Sequence, residues 1–371
     1  MKEDKKNFFS SVAILVGMCI GAGVLGIPYV AMKSGFFLTL GYLVFLGLII
    51  LLVNLYLGEI SLRTKGIHQI VGYAGKYLGK RGKKILQGVM VFEVYSAILA
   101  YLIGTGESFN FLFFENNYII YLGLGVGVFM SFLIWKGIKG LKKFERIGVS
   151  VILVLLFLIF LFFGKEISFN NFGGFSFEYI FLPFGVILFA LLAFQSIPQV
   201  RIVLRNKEKM MKKVIITATL ISILFYALFV FVIVGFKGNE TPEVATLALG
   251  GIFIWLGIFT MLTSYLALGN ALMENLMFDQ GMKKNKAWFL SSIVPIFIFL
   301  IVKFFNIFSF VEVLAIGGLI SGVVMSVMIL IIAKKAKKMG DRKPEYSIPI
   351  NWFVVGIISL IFVFGMIWEF L

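Results

Sequence analysis

The chain has one cysteine, Cys19, and one histidine, His68, in 371 residues. A single cysteine excludes an internal disulfide framework and leaves the redox compartment unreadable. A single histidine removes most metal-centre and catalytic-triad chemistry. Charge is also scarce, at 14% of residues, and there are only seven prolines. No small-residue cleavage site follows a short apolar core near the N-terminus, so no removable signal peptide is expected. What fills the sequence instead is apolar: 60% of it is hydrophobic and 16% aromatic, with 43 phenylalanines. A soluble domain has no core large enough to hide that much apolar surface.

The apolar runs repeatedly reach the roughly 20 residues that cross a bilayer as a helix. Eleven spans are predicted, near residues 9–31, 37–58, 86–110, 118–135, 148–163, 179–200, 214–236, 246–278, 288–303, 307–332 and 350–370. The expected fold class is an all-α integral membrane protein whose single transmembrane domain occupies residues 1–371. The formal charge of +16 does not read as nucleic-acid binding, because the basic residues sit in alternate loops. Thirty of the 34 lysines and arginines fall on one side of the eleven spans, leaving only Lys33, Lys165, Lys237 and Lys303 on the other. The positive-inside rule then predicts a multi-pass protein of the cell membrane, with the N-terminus cytoplasmic and the C-terminus outside.

The first span contains four glycines and a proline within Gly17-Met18-Cys19-Ile20-Gly21-Ala22-Gly23-Val24-Leu25-Gly26-Ile27-Pro28. Glycine and proline weaken a helix interior. Backbone groups freed at bilayer depth must be buried in protein or line a cavity. A break at Gly21–Gly23 predicts two helix ends facing a gap. The outer half offers free N–H groups and a partial positive charge, suited to a carboxylate. The inner half offers carbonyls, suited to a cation or an ammonium group. The rival reading is close helix packing through small residues. Span 6 repeats the pattern: Ser196-Ile197-Pro198-Gln199-Val200 matches Gly26-Ile27-Pro28-Tyr29-Val30, five spans apart. Interrupted segments at corresponding places in two halves point to a transporter site. An odd number of spans per half predicts an inverted repeat, about 9–163 and 179–332, with 350–370 as an additional helix.

Gly21-Ala22-Gly23-Val24-Leu25-Gly26-Ile27-Pro28 resembles the first-helix signature of amino acid permeases in the amino acid–polyamine–organocation superfamily. The nearest branches are the aromatic amino acid permeases and the amino acid/auxin permeases. Ala100-Tyr101-Leu102-Ile103-Gly104-Thr105-Gly106 and Leu262-Thr263-Ser264-Tyr265-Leu266-Ala267-Leu268-Gly269 resemble the same branches. The resemblance implies the five-plus-five, leucine-transporter-like fold and alternating-access amino acid transport. It further implies that Gly21 and the amides of Ala22 and Gly23 receive the substrate carboxylate. Carbonyls near Phe189 and Leu192 would take the ammonium, and the Phe189 ring would close over the ligand. Gln195 belongs to the same wall, but related permeases often carry glutamate there, so charge-based gating is not implied.

Thr260, Thr263, Ser264, Ala267, Ala271 and Glu274 share one helical face of span 8. Adjacent mid-span hydroxyls are suitable oxygen ligands for a small cation. In sodium-coupled members of the implied fold such a Thr-Ser pair binds sodium with first-helix carbonyls, which here would be those of Val16 and Cys19, with the Thr260 carbonyl as a further ligand. The alternative is that these hydroxyls bond back to their own helix. Some proton-driven relatives carry a lysine in span 5, and 148–163 has no ionisable residue. Glu93 is the opposing candidate, a carboxylate well inside span 3 with Ser96, Ala97, Ala100 and Gly104 on its face. Such a group is a functional candidate by its cost of insertion; a structural acceptor is the other reading. Ala315, Gly318, Gly322 and Ser326 read as a packing face, and the basic loops as orientation signals with anionic-lipid contact. Lys139, Lys142, Lys143, Glu145 and Arg146 read as a solvated loop, with an inner salt-bridge gate as the alternative.

The expected function is therefore secondary active transport of a neutral amino acid, aromatic or hydrophobic, by sodium symport. Proton coupling through Glu93 and passive facilitation remain as alternatives. No enzyme chemistry, no cofactor beyond the coupling ion and no nucleic-acid partner is expected; lipid and the amino acid are the partners.

Overall fold

A computed structural model describes residues 2–114, 118–137, 158–159 and 161–370. Among these residues there is no β-strand. Among the described residues nine helices are long and apolar enough to cross a membrane, and a bent pair at the start makes ten. Most of the expected span 148–163 lies outside the described residues, as do Lys139, Lys142, Lys143, Glu145 and Arg146.

The first span is α1 (Lys2–Cys19) and α2 (Ala22–Ser34), bent by 54°. Helix α3 (Phe36–Arg63) follows, then α4 (Ile70–Phe113) and α5 (Ile119–Lys136). Helix α4 runs 44 residues because a short polar arm joins the span across Gly79, whose φ of +73° suits a residue without a Cβ. The sixth span is also two helices, α6 (Leu182–Leu191) and α7 (Ser196–Val203). The remaining spans are α8 (Met211–Lys237), α9 (Gly251–Glu274), α10 (Lys284–Phe304), α11 (Phe310–Met339) and α12 (Trp352–Phe370).

Prolines account for much of the irregularity. Pro198 lies in the first turn of α7, where its missing N–H removes no helix bond. Pro183 plays the same part at the start of α6. Pro295 cannot supply an N–H to the turn behind it, and that turn, Phe289–Ile293, is a wide π-turn. The Tyr95 hydroxyl donates to the Leu290 carbonyl there at 2.6 Å.

Small residues set the closest approaches. A Cβ on Gly185 of α6 would lie 2.5 Å from the Ala315 carbonyl oxygen, and one on Gly318 would lie 2.0 Å from the Gly185 carbonyl oxygen. Helix α11 thus lies backbone to backbone on α6, as expected for its small-residue face.

The two ends of the bundle are closed differently. At the basic end, buried Arg201 of α7 donates to the carbonyls of Ser61, Thr64 and Gly66, where α3 runs out. This satisfies helix-end carbonyls that have no partner of their own. Nearby, Glu59 is 2% exposed and accepts from Arg63, Ser347 and the Ile348 N–H, with the Lys337 ammonium at 3.3 Å. Residues 341–351 are strapped across the end of α3 by these contacts, and Tyr346 and Tyr56 add bonds to the Leu55 and Pro349 carbonyls. At the other end, Glu369 of α12 accepts from the Gly185 N–H at 3.1 Å, which caps α6 from a neighbouring helix. Glu312 closes a capping box with Ser309 at the start of α11, so it serves as a helix cap.

Candidate functional site

The first break is narrower than the Gly21–Gly23 expected from sequence. Only Ile20 and Gly21 leave the helix, while Ala22 and Gly23 open α2. Gly21 caps α2 without a side-chain bond, so the first N–H groups of α2 depend on neighbours. One neighbour is Tyr101 of α4, whose hydroxyl lies beside this helix start together with that of Ser264. A Cβ on Gly21 would meet that hydroxyl at 3.2 Å and the Ser264 Oγ at 3.6 Å. Gly21, Ala22, Tyr101 and Ser264 therefore converge on one point. Tyr101 was quoted above only as part of a motif. Its signal was its place two helical turns from Glu93, on the face carrying Ala97 and Gly104.

Gly23 serves a different purpose from Gly21. A Cβ there would lie 2.6 Å from the Ala190 Cα, so Gly23 lets α2 touch the backbone of α6. The two interrupted spans cross at this contact.

The second break is Leu192–Gln195, shorter than the Phe189–Ser196 expected, with Phe189 still in the last turn of α6. The helix-end carbonyls of α6 have donors. Leu192 N–H reaches the Phe189 carbonyl at 3.3 Å, the buried Tyr226 hydroxyl of α8 reaches Ala190 at 2.7 Å, and the Cys19 thiol lies 3.9 Å from the Leu191 carbonyl. A carbonyl oxygen has two lone pairs, so a bonded carbonyl can still face an ammonium group. The Phe189 ring lies over Gly317 of α11, where a Cβ would come within 3.1 Å of it, beside Ser96 of α4. Phe189 is thus half-buried, with its ring against α11.

Gln195 is 9% exposed and donates to Glu93 at 2.8 Å, joining α4 to the second break. Sequence reasoning treated these two residues separately.

The span 8 face is α9. Ser264 reaches the first break, as described. The Thr260 hydroxyl donates to the Leu256 carbonyl at 2.8 Å, and Thr263 lies 3.0 Å from both the Phe259 and Thr260 carbonyls. Both threonines are thus turned back on their own helix, and their oxygen lone pairs remain available to a cation. The Val16 carbonyl accepts from Ile20 N–H, and that of Cys19 from Gly21 N–H, each at 2.9 Å.

Two interrupted helices crossing at a glycine, with their polar ends turned into a protein interior, define a membrane carrier of the leucine-transporter-like fold. The crystal structure of MhsT in complex with L-phenylalanine is similar over 97% of both chains, with a TM-score of 0.68 and 12% identity. Mhp1, a nucleobase-cation-symport-1 family transporter, closed with bromovinylhydantoin bound, has a TM-score of 0.61 and 14% identity, covering 97% of this chain and 89% of that one.

The chain belongs to the tryptophan/tyrosine permease family, whose model matches residues 4–369. Of the two branches that the sequence resembles, this is the aromatic one. A curated relative, tyrosine-specific transport system 1 of Haemophilus influenzae, is 27% identical over 162 residues, which is 43% of this chain and 40% of that relative. The match therefore spans two-fifths of the relative's length. The family and the structural neighbours are transporters and not enzymes.

Proposed function

We propose that the protein carries an aromatic amino acid, with tyrosine and tryptophan foremost, across the cell membrane by alternating access. The observation that carries this reading is the convergence of Gly21, Ala22, Tyr101 and Ser264 at a helix start that has no cap of its own. A substrate carboxylate fits there because free N–H groups and the helix dipole favour an anion. Tyr101 then donates a hydrogen bond to that carboxylate beside the Ala22 and Gly23 amides. Phe189 supplies an aromatic wall, and the carbonyls at the end of α6, with Leu192, face the ammonium. The names of the family and of the curated relative support the aromatic side chain.

Coupling to sodium is the leading reading. Its ligands are the carbonyls of Val16, Cys19 and Thr260 and the hydroxyls of Thr263 and Ser264, which are all oxygens, as a hard cation requires. Proton coupling has one observation in its favour, the Gln195–Glu93 hydrogen bond between a scaffold helix and a broken one. The basic end is assigned to the cytoplasm, with the C-terminus outside.

Uptake of labelled tyrosine, tryptophan, phenylalanine, leucine and alanine into proteoliposomes tests both parts, with sodium and pH gradients imposed separately. The expected result is aromatic uptake driven by sodium and reduced at least tenfold by Thr263→Ala. Uptake that follows a pH gradient, ignores sodium and is lost in Glu93→Gln moves the coupling to Glu93. Single-channel currents in a planar bilayer would make the protein a channel.

A further inference from the structure

Between α5 and the first turns of α10 lies a cleft of about 480 Å³ that none of the transport machinery uses. It is lined by Val128, Ser131, Phe132, Trp135, Trp288 and Ile293. Val128 and Phe132 are 59% and 50% exposed, so the cleft opens sideways, toward lipid. It lies next to the basic end of the bundle, where α5 stops at Lys136 and α10 begins at Lys284.

The geometry of its rim is specific. Trp288 donates its indole N–H to the Ser131 carbonyl at 2.9 Å, and its ring meets that of Trp135 edge to face at 4.9 Å. The Lys284 ammonium lies 4.9 Å from the centre of the Trp135 ring, and that of Lys136 lies 4.4 Å from the centre of Phe132. Neither ammonium has a carboxylate partner among the described residues. Tryptophan at this level marks the membrane–water interface.

We propose that this cleft binds one anionic phospholipid from the leaflet at the basic end. Its phosphate pairs with Lys136 and Lys284, and an acyl chain lies along Phe132, Val128 and Ile293. The register along α5 fits such a molecule. Ser131 is five residues from Lys136, or about 7.5 Å deeper at the helical rise, and Val128 is about 12 Å deeper. That order is cationic, polar, apolar, matching phosphate, glycerol ester and chain. Ser131 is 2% exposed, and its hydroxyl lacks a hydrogen-bond partner among the described residues, so it can donate at ester depth. That buried hydroxyl, at the foot of two lysines without a carboxylate partner among the described residues, separates this cleft from an ordinary lipid-facing surface.

The test uses the full chain in lipid nanodiscs, in a Trp352→Phe background. Of the five tryptophans, this leaves Trp135 and Trp288 as the two at the basic end. Their fluorescence is quenched by chain-brominated phosphatidylglycerol or phosphatidylcholine, each at 10% of total lipid. The expected result is quenching at least twofold stronger with the anionic lipid, and loss of that excess in Lys136→Gln/Lys284→Gln. Native mass spectrometry of the parent and the double variant, each released from detergent, gives an independent reading: one retained phosphatidylglycerol in the parent and none in the variant. Size-exclusion profiles and melting temperatures of the two proteins are matched first. Equal quenching by the two lipids, or a preference that survives the double substitution, overturns the assignment. So does a dimer whose interface shields both tryptophans from either lipid.

Discussion

The two breaks in the bundle are built by opposite means. The first, Ile20–Gly21, works by leaving side chains out: no Cβ fits at Gly21 without crowding Tyr101, and none fits at Gly23 against Ala190. The second, Leu192–Gln195, contains no glycine. It works by importing donors: Tyr226 from α8 and Cys19 from α1 reach the carbonyls of Ala190 and Leu191. A missing side chain makes room for a ligand beside backbone N–H groups. An imported donor holds a helix end in place at bilayer depth, where water does not. On the proposed reading the first break receives the ligand, and the second holds a shape beside it.

The largest expected effect comes from filling the crossing point. Gly23→Val places branched carbon 2.6 Å from backbone that has no freedom to retreat. Overpacking costs about 1–3 kcal/mol and more where backbone is struck. We expect loss of uptake together with a large fall in melting temperature in detergent.

Tyr226→Phe attacks the second break. It strips the Ala190 carbonyl of a buried donor, which costs about 1–3 kcal/mol. The melting temperature falls, while the tyrosine Kd, measured by scintillation proximity below the new melting point, changes less than threefold. A large change in Kd with an unchanged melting temperature would reverse the roles assigned to the two breaks.

Tyr101→Phe is the mirror experiment at the first break. A hydrogen bond to a charged group contributes about 1.5–3 kcal/mol, so Kd for the amino acid should rise roughly 10- to 100-fold. Stability should change little, because the Ala22 N–H still faces a polar gap. Tighter binding would show that Tyr101 competes with substrate instead of assisting it.

Cys19→Ala sharpens the comparison from the weak side. The thiol is a poor donor at 3.9 Å from its carbonyl, so the melting temperature should drop by less than in Tyr226→Phe. The smallest effect lies away from both breaks. The Lys76 ammonium and the Lys65 N–H hold Asp341 below the ordinary carboxyl value of 3.8. A depressed pKa stabilises the fold above that value, and the contribution is lost as pH falls through the folded-state pKa. Asp341→Asn should therefore lower the melting temperature slightly at pH 7, and the difference should shrink as pH falls below 3.8.

Much of this was legible in the sequence. Span positions followed from apolar runs, and the glycine and proline clusters marked both interrupted helices. Ala315, Gly318 and Gly322 were readable as a packing face because small residues at helical spacing have few other uses in a membrane. The exact breaks were not readable. The Tyr101 and Ser264 hydroxyls that crowd Gly21 come from distant spans, and no local pattern carries that. The Glu93–Gln195 pair was hidden for the same reason: the two residues are 102 positions apart, and only the fold brings α4 and the second break to 2.8 Å. Arg201 was counted as a loop charge, although its side chain is buried on backbone carbonyls.

That arginine has a mechanical consequence. Its bonds to Ser61, Thr64 and Gly66 join α7 to the end of α3 across 140 residues of sequence. The basic-end half of the sixth span is therefore joined to the second span as one lever. Torque on α7 is passed to α3 and stops at the Glu59 strap, and the four residues Leu192–Gln195 are left as the fulcrum. In the proposed alternating access, an opening toward the basic end would turn about those four residues or first pull the strap away.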